Sequence, residues 1–349
     1  MKTIKDLRWI MMRSLKTMND DWRYDISYQT SQVDYSQEIQ NDLSVTKLLR
    51  ATNVINVAGV PTCVSKLNGT DANCIPYNLF SGGLPGDGGI QAIWDANPEI
   101  QTYMAIPNFI LGDSSETIFQ AYVEGTTNFS IPGAPSAVSM VAGYESRELE
   151  SDYRPDASSQ AADRTGAGGP IVALAGSYDV KEYFFEFGIP VTDSLNLEAG
   201  MRFADYSTDN DTDAFKLGAF YKLNDELSFR GTVQTATRHG SITELYRGQG
   251  ASLTDLDPDP CGTNPESGAA PTATQAQCAN TGLPASLYGS DLKSPADQYN
   301  ILTGGNPNLR PEESESTTLG VVWTPSSIEG LTVTFDYFDI LVEDRIGTI

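Results

Sequence analysis

The sequence predicts an all-β chain: an antiparallel up-and-down transmembrane β-barrel, partial, with about nine strands of a larger barrel and long loops at one end. Three observations carry that expectation. Apolar and polar residues alternate with period two over segments of ~10 residues. The connections between those segments alternate between long and short. Charged residues make up only 19% of the 349 positions, while Gly, Tyr, Thr, Ser and Asn are plentiful. That composition suits neither a long helical protein nor a disordered acidic tail.

The chain is expected to divide into a lead-in segment, residues 1–21, and one incomplete barrel domain, residues 22–349. In the lead-in, Lys2, Lys5, Arg8, Arg13 and Lys16 are interleaved with Leu7, Trp9, Ile10, Met11, Met12, Leu15 and Met18. A secretory signal needs an unbroken apolar core and a small-residue cleavage site. Arg13 and Lys16 interrupt the core, and no A-x-A-like site follows. A short amphipathic or frayed stretch is expected there. No apolar run approaches the ~18 residues of a transmembrane helix.

From Trp22 the period is two. Trp22, Tyr24, Ile26 and Tyr28 alternate with Arg23, Asp25, Ser27 and Gln29. Leu195, Leu197, Ala199, Met201 and Phe203 alternate with Asn196, Glu198, Gly200 and Arg202. Leu227, Phe229 and Val233 alternate with Ser228, Arg230, Thr232 and Gln234. Similar segments run over 117–129, 137–150, 177–189, 214–223, 315–324 and 331–344. Short turns are expected at 131–136, 190–194, 224–226 and 325–330. Long connections are expected at 37–116, 151–176 and 238–314, with a medium one at 207–213. In a meander every second connection lies on the same side, so the long ones share one end and the short ones the other. This is the pattern of an outer-membrane barrel. Trp22 and Trp323 fall at short-turn ends, where an interfacial aromatic girdle sits. Glu182, Glu186, Glu198, Arg202, Lys216 and Arg230 occupy the polar phase and should line the lumen, since a charge on the lipid face is costly.

With 46 acidic and 22 basic residues the net charge is −24, which excludes a nucleic-acid wrapper, because phosphate affinity comes from Lys and Arg. The four cysteines form two local pairs, Cys63/Cys74 and Cys261/Cys278, each inside a long connection. The only histidine is His239 and there is no C-x-x-C unit, so local disulfides in an oxidising compartment fit better than zinc.

Few motifs carry chemistry. Asp209, Asp211 and Asp213 resemble the start of a calcium loop, but an EF-hand requires Gly at its sixth position and Glu at its twelfth, where Ala214 and Phe220 stand. Asp255, Asp257 and Asp259 form a second candidate. Both are read first as solvated loop charges. The glycines at 82–89 read as a loop and not as a nucleotide site. The three N-x-[ST] matches beginning at Asn68, Asn128 and Asn210 are chance in a bacterial outer-membrane protein. No G-x-S-x-G elbow or second histidine offers a nucleophile or a metal site, so no cofactor and no enzyme activity are expected. The residues at 304–312 match neither GxGxxG nor GxxxxGK[ST]. Their glycines and prolines are expected to shape the return of a long loop into a strand, with Leu309 packing and Glu312 capping or pairing at the rim.

Gly304, Gly305, Asn306, Pro307, Asn308, Leu309, Arg310, Pro311 and Glu312, followed by Ser314, resemble the GGNPxLxPE-S motif of TonB-dependent outer-membrane receptors. Asp336–Ile340 resembles that family's "DYFDI" strand, and Glu182–Phe187 with Ile189 and Pro190 its "ELFxEFxIP" strand. The stretch from Arg230 to Thr243, Glu244, Leu245 and Tyr246 resembles "RxxxxxxFRAPSxxELY", with Arg238, His239 and Gly240 departing from it. The similarity covers about residues 20–349. It implies a receptor in the Gram-negative outer membrane that imports a siderophore, cobalamin, haem or an oligosaccharide, energised through the TonB complex. Outer-membrane lipid, the TonB complex and a small-molecule or oligosaccharide ligand are the implied partners. Whole receptors of the family carry a signal peptide, a TonB-contacting box and a plug ahead of a barrel of about 22 strands. The chain is therefore expected to be a barrel fragment that lacks plug and C-terminal strands and does not transport alone. Trp94, Tyr103, Tyr246, Tyr288 and Tyr299 are the aromatic loop candidates for stacking on a ligand.

Two rival expectations come from other classes. A soluble secreted binding or adhesion protein with acidic calcium-binding loops would pack its apolar strand faces on one another. A surface hydrolase would need a triad or a carboxylate pair, for which the residues are missing.

Overall fold

The computed structural model describes residues 21–79, 95, 97–165, 169–255, 259–264, 267–290 and 298–347 in full, and the backbone of 2–17. In chain order the strands are β1 (Lys2–Thr17), β2 (Trp22–Leu43), β3 (Val54–Val57), β4 (Val60–Cys63), β5 (Ala105–Thr126), β6 (Ser139–Pro155), β7 (Leu174–Pro190), β8 (Leu195–Tyr206), β9 (Asn210–Lys222), β10 (Leu227–Arg238), β11 (Gly250–Asp255), β12 (Gln298–Thr303), β13 (Glu312–Trp323) and β14 (Val333–Glu343). Ten of them form one sheet in the order β1-β2-β5-β6-β7-β8-β9-β10-β13-β14. Each neighbour is the next sheet strand along the chain and every pairing is antiparallel. The two remaining pairs, β3-β4 and β11-β12, are small hairpins inside the long connections. The ten-stranded sheet is an open meander, with β1 and β14 at its edges.

Opposed residues on antiparallel strands share a face, so the register sorts side chains across the whole sheet. One row joins Leu197, Ala219, Gly231, Leu319 and Tyr337; the next joins Ala199, Leu217, Val233 and Thr317. This face carries Trp22 to Tyr28 of β2, Tyr183 to Ile189 of β7, Leu195 to Phe203 of β8 and Phe215 to Tyr221 of β9. Many of these are exposed, among them Met201, Phe203, Leu217, Leu319 and Phe335, the last at 72%. They do not pack on a second sheet, which is what the soluble rival requires. Along a strand the apolar stretch covers four or five alternate positions, roughly 20–26 Å at ~3.3 Å per residue. That is the order of the ~25 Å apolar band of an outer-membrane barrel. Beyond it, toward the long connections, the same face turns acidic: Asp34, Asp113, Glu148, Glu150, Asp152, Asp179, Asp205, Asp211, Asp213, Glu313 and Glu315 follow in register.

The opposite face is polar and holds Glu182, Glu186, Glu198, Arg202, Lys216 and Arg230 together. Glu182 is only 5% exposed. Arg202 donates to it through Nε at 3.1 Å and Nη2 at 2.6 Å, and Arg147 approaches within 3.7 Å. A carboxylate this buried is tolerated only because it is paired. Lys216 bridges to Glu198 at 2.8 Å. Arg230 on β10 reaches across β13 to both carboxylate oxygens of Asp336 on β14, at 2.8 and 2.9 Å. The residue between them is Gly320. A Cβ there would collide with Asp336 Oδ1 and Arg230 Nε, so a side chain at this position would push the bridge aside.

The nine strands expected from Trp22 onward are all present; their limits differ from expectation. β2 and β5 each run 22 residues, so the connection expected over 37–116 shrinks to 44–104. The reason is the composition of their outer halves, which do not continue the pattern: in β2 the apolar residues move to the other phase at Val33, Tyr35 and Ile39, and in β5 an unbroken apolar run, Phe109–Leu111, is followed by the polar Asp113–Glu116. The expected medium connection at 207–213 is a tight turn of 207–209, with Asp209 in the left-handed region at φ 57°. The expected lead-in also changes. The backbone of Lys2–Thr17 is strand β1, laddered to β2 from Thr17↔Arg23 to Lys2↔Gln37, because extended pairing satisfies backbone groups even where basic residues break the pattern.

Replacing Gly320 by Val is expected to displace the Arg230–Asp336 bridge and to lower the unfolding free energy by about 1–3 kcal/mol. In an Arg230→Ala background the same substitution should cost less, because the two changes share one contact. Urea titration of the four variants in detergent, read by tyrosine and tryptophan fluorescence, measures the difference.

Candidate functional site

The long connections meet at one end of the polar face. The first, 44–104, builds a small core of Ala51, Cys63, Cys74, Tyr77, Ile100, Tyr103 and Met104. Cys63 and Cys74 are bridged, with Cα atoms 6.2 Å apart. The helix Val45–Thr52 starts at Ser44, whose hydroxyl accepts from Lys47 N at 3.1 Å. The Tyr103 hydroxyl donates to Asp71 at 2.8 Å, and Arg50 pairs with the same carboxylate at 3.1 Å. Burial, followed by the neighbouring Asp71 carboxylate, pushes the Tyr103 phenol up to about 12. The hydrogen bond from Tyr103, ahead of the contributions of Arg50, holds Asp71 below the usual carboxylate range.

The connection 239–311 folds back over the polar face. Ser241 and Glu244 form a capping box that starts the helix Ile242–Tyr246. Arg238, the last residue of β10, is the junction. It donates to Glu244 at 3.0 and 3.2 Å and to Glu312 at 2.8 and 2.9 Å. The same Glu312 accepts from Ile346 N at 2.7 Å. Arg238 thus ties together the two stretches that resemble family motifs. Those stretches also touch directly: Gly305 N donates to Arg247 O at 2.7 Å and Asn306 N to Glu244 O at 2.8 Å. A Cβ on Gly305 would lie 2.7 Å from Arg247 N and Leu245 O, so only glycine allows this approach. Leu245 is buried beneath the turn. The Tyr246 ring lies over Gly176 of β7, and Val172 seats against Gly248 and Gly250. An isolated bridge between Leu174 and Arg247 completes the docking. Farther along, Cys261 and Cys278 are bridged.

His239 stacks on Tyr206 at 4.1 Å between centroids, with Tyr178 at 4.9 Å, and its Nε2 lies 2.7 Å from Thr208 Oγ1. Burial lowers the imidazole pKa, so the ring is neutral at pH 7. It is a packing residue of the loop base.

Between the inward-folded segment and the sheet lies a cavity of about 580 Å³. Val33, Tyr35, Asp113, Ser114, Ser151, Asp152, Tyr153 and Leu174 form its sheet side; Ile171, Val172, Thr243 and Arg247 form its loop side. A second, larger hollow of about 730 Å³ lies toward the short turns and is lined by charges that include Arg23, Glu124, Glu186, Glu198 and Lys216.

The aromatic candidates are dispersed. Tyr103 is a core residue of the first connection, and Tyr246 is spent on Gly176. Tyr288, beyond the second disulfide loop, donates to Ala273 O inside it at 2.9 Å, and Tyr299 sits on β12 opposite Thr254. Trp94 lies outside the described residues, as does Asp257 and the glycine stretch 82–89. The calcium candidates are not gathered into a site. Asp211 and Asp213 are alternate residues on β9, with Asp209 in the turn before them, and Asp255 ends β11 while Asp259 accepts from Cys261 N at 2.7 Å. Among the described residues no group of three His, Cys, Asp or Glu side chains is placed to hold a metal ion. Tyr35, Tyr153 and Arg247 were not singled out by sequence, since nothing local marks residues brought together from β2, β6 and a distant loop.

A single antiparallel meander with an apolar face, a charged face and its long connections at one end is the wall of an outer-membrane-type barrel. The family model for TonB dependent receptor-like β-barrels matches residues 8–349, and the chain belongs to that family. Such barrels are outer-membrane proteins of Gram-negative bacteria that serve as receptors and transporters. Among solved structures it is similar to a mutant ferric enterobactin receptor, PfeA, of Pseudomonas aeruginosa, at 15% identity and TM-score 0.52, over 95% of this chain and 33% of that one. It also matches the siderophore receptor PirA of the same organism, at 11% identity and TM-score 0.43, over 96% and 45% of the two chains. The RagAB peptide transporter matches at 10% identity and TM-score 0.49, over 96% and 29%. The chain spans about a third of the length of the first of these receptors. No curated protein matches.

Two outcomes follow for the loops. Glu244 is held below the usual carboxylate range first by Arg238, with further help from Ser241. A depressed folded pKa contributes stability above the unfolded value of about 4.3 and loses it as pH falls through the folded value. Protection factors of the amides across 239–250, taken against the intrinsic exchange rate at each pH, should therefore fall on acidification below about pH 4, and Glu244→Gln should show lower protection at neutral pH with a weaker acid step. In an absorbance titration at alkaline pH, one tyrosine should ionise near 12, and Tyr103→Phe should remove that last step.

Proposed function

We propose that this chain is a portion of the wall of an outer-membrane uptake receptor. In this reading the apolar face meets lipid, the charged face meets water or a plug, and the long connections face outward to capture a scarce nutrient. The single observation that supports it best is the sidedness of the sheet: one continuous ladder separates apolar from charged residues and gathers both disulfide-bridged connections at one end. An iron-siderophore, cobalamin, haem or an oligosaccharide is the proposed class of cargo, with transport energised by the TonB complex through a plug. No bond is made or broken in such a task, so the charged residues act as a scaffold and not as catalysts. A segment of this length supplies part of the wall, and import belongs to the whole receptor.

The test is made in cells. With the reading frame deleted, uptake of one of the labelled cargo classes should fall, and the residual uptake should no longer depend on the proton gradient. In intact cells an added protease should cut within 44–104 and 239–311 and spare 191–194 and 223–226. Unchanged uptake of every class, or cleavage at the short turns of intact cells, overturns the reading.

A further inference from the structure

The cavity between the sheet and the returning loop has a definite chemistry. Arg247 stands at its loop side with its backbone held at three points: the bridge to Leu174, the hydrogen bond from Gly305 N to its carbonyl, and the hydrogen bond from its own N–H to Thr243 O at 3.2 Å. Its guanidinium has no carboxylate partner among the described residues. Two carboxylate residues, Asp113 and Asp152, are part of the sheet-side lining, and both are engaged by Arg154, at 2.9 and 3.1 Å. Arg164, on the other flank, is spent on Asp42 at 2.8 Å. In a chain of net charge −24, a cation anchored through its backbone at a cavity, with no carboxylate partner among the described residues, is conspicuous by its sign. The walls are amphipathic: Val33, Ile171, Val172 and Leu174 offer apolar surface, while the rings of Tyr35 and Tyr153 offer flat faces. The Ser114 and Ser151 hydroxyls are 2.9 Å apart on the sheet side.

We propose that this cavity binds an amphipathic organic anion, with Arg247 pairing its carboxylate, sulfonate or phosphate group and the apolar wall and tyrosine rings taking its body. Preorganisation is the reason Arg247 suits the task. A planar guanidinium gains more from a bidentate anion when the backbone that carries it has little freedom left to lose. The partly enclosed setting strengthens the charge-assisted bond relative to water. The proposal rests on the reading of this chain as receptor wall, and it narrows the cargo to a class with a negative head and an apolar body.

The experiment uses two probes that share an aromatic frame and differ in charge: anionic 8-anilinonaphthalene-1-sulfonate and neutral N-phenyl-1-naphthylamine. The purified full chain in nanodiscs is titrated with each, and fluorescence is followed. Saturable binding of the sulfonate should exceed that of the neutral probe. Arg247→Gln should weaken the sulfonate about tenfold, the usual scale for a hydrogen bond to a charged group, and leave the neutral probe unchanged. Arg247→Lys should keep part of the preference. Ser114→Trp, which fills the cavity from the sheet and leaves the loop contacts alone, should abolish saturable binding of both probes. Arg310→Gln, whose partner is Asp344 on the far rim, should change neither. Equal sulfonate affinity in wild type and Arg247→Gln, or undiminished binding in Ser114→Trp, overturns the proposal. Probe binding that ignores Arg247, with uptake lost on deletion of the frame, would overturn the proposal and leave the receptor reading standing; Arg247-dependent probe binding with uptake unchanged on deletion would do the reverse.

Discussion

A β-strand has two faces, and hydrogen-bonded registration makes those two faces common to every strand of a sheet. The rest of this structure depends on that constraint. Once Leu197, Ala219, Gly231 and Leu319 are placed opposite one another, the alternate residues of four strands are committed to the other side. A slip of one residue in any pair would carry Glu198 or Arg230 onto the apolar face. The charges of the polar face then find one another because the ladder leaves them nowhere else to go. Arg202 meets Glu182 on the next strand, and Arg230 reaches Asp336 two strands away only because the residue between is glycine.

The loops obey a second constraint, which is closure without water. A chain segment turned in over the polar face must satisfy its own backbone groups there. Arg238 begins the solution by binding Glu244 and Glu312 at once. The glycines at 304 and 305 continue it, letting two backbones approach closely enough for carbonyls of the short helix and its cap to accept hydrogen bonds. What looks in sequence like a glycine-rich loop is thus a docking surface for the helix that follows β10. The cavity lined by Arg247 exists because this docking holds the loop above the sheet and does not let it collapse onto Tyr35 and Tyr153.

Much of the fold was legible because its signal is local. Trp22–Tyr28, Leu195–Phe203 and Leu227–Val233 carry a contrast between neighbours that only a two-faced strand explains. The same logic shows why β2 and β5 extend past their expected ends. Beyond Tyr28 the apolar residues of β2 change phase, at Val33, Tyr35 and Ile39, and before Phe119 β5 passes from the apolar run Phe109–Leu111 to the polar Asp113–Glu116, so the expected alternation ends although the hydrogen bonds continue. The short turn at 207–209 was hidden by the aspartates that follow it, Asp211 and Asp213, which resemble a solvated loop and belong instead to the start of β9. The mouth was less legible. Tyr103 and Tyr246 are ordinary loop aromatics in sequence, and only tertiary structure reveals that one is core and the other rests on Gly176. Arg247 gained its meaning from the carboxylates that other arginines had already taken.

The acidic fringe above the apolar band has a consequence for depth. On the outward face the change falls at Asp213 opposite Phe203, one step farther along at Asp205 opposite Lys181, and a further step at Asp179, a staggered edge across β9, β8 and β7. Within the receptor reading, that edge is a waterline drawn in charge. Sinking the wall deeper would bring a ring of carboxylates into hydrocarbon at several kcal/mol each, whereas the short-turn end, edged by Trp22 and Trp323, tolerates small displacements through its amphipathic rings. A bilayer thicker or thinner than this band would therefore be accommodated at the turn side, and the mouth would stay at constant height above the surface.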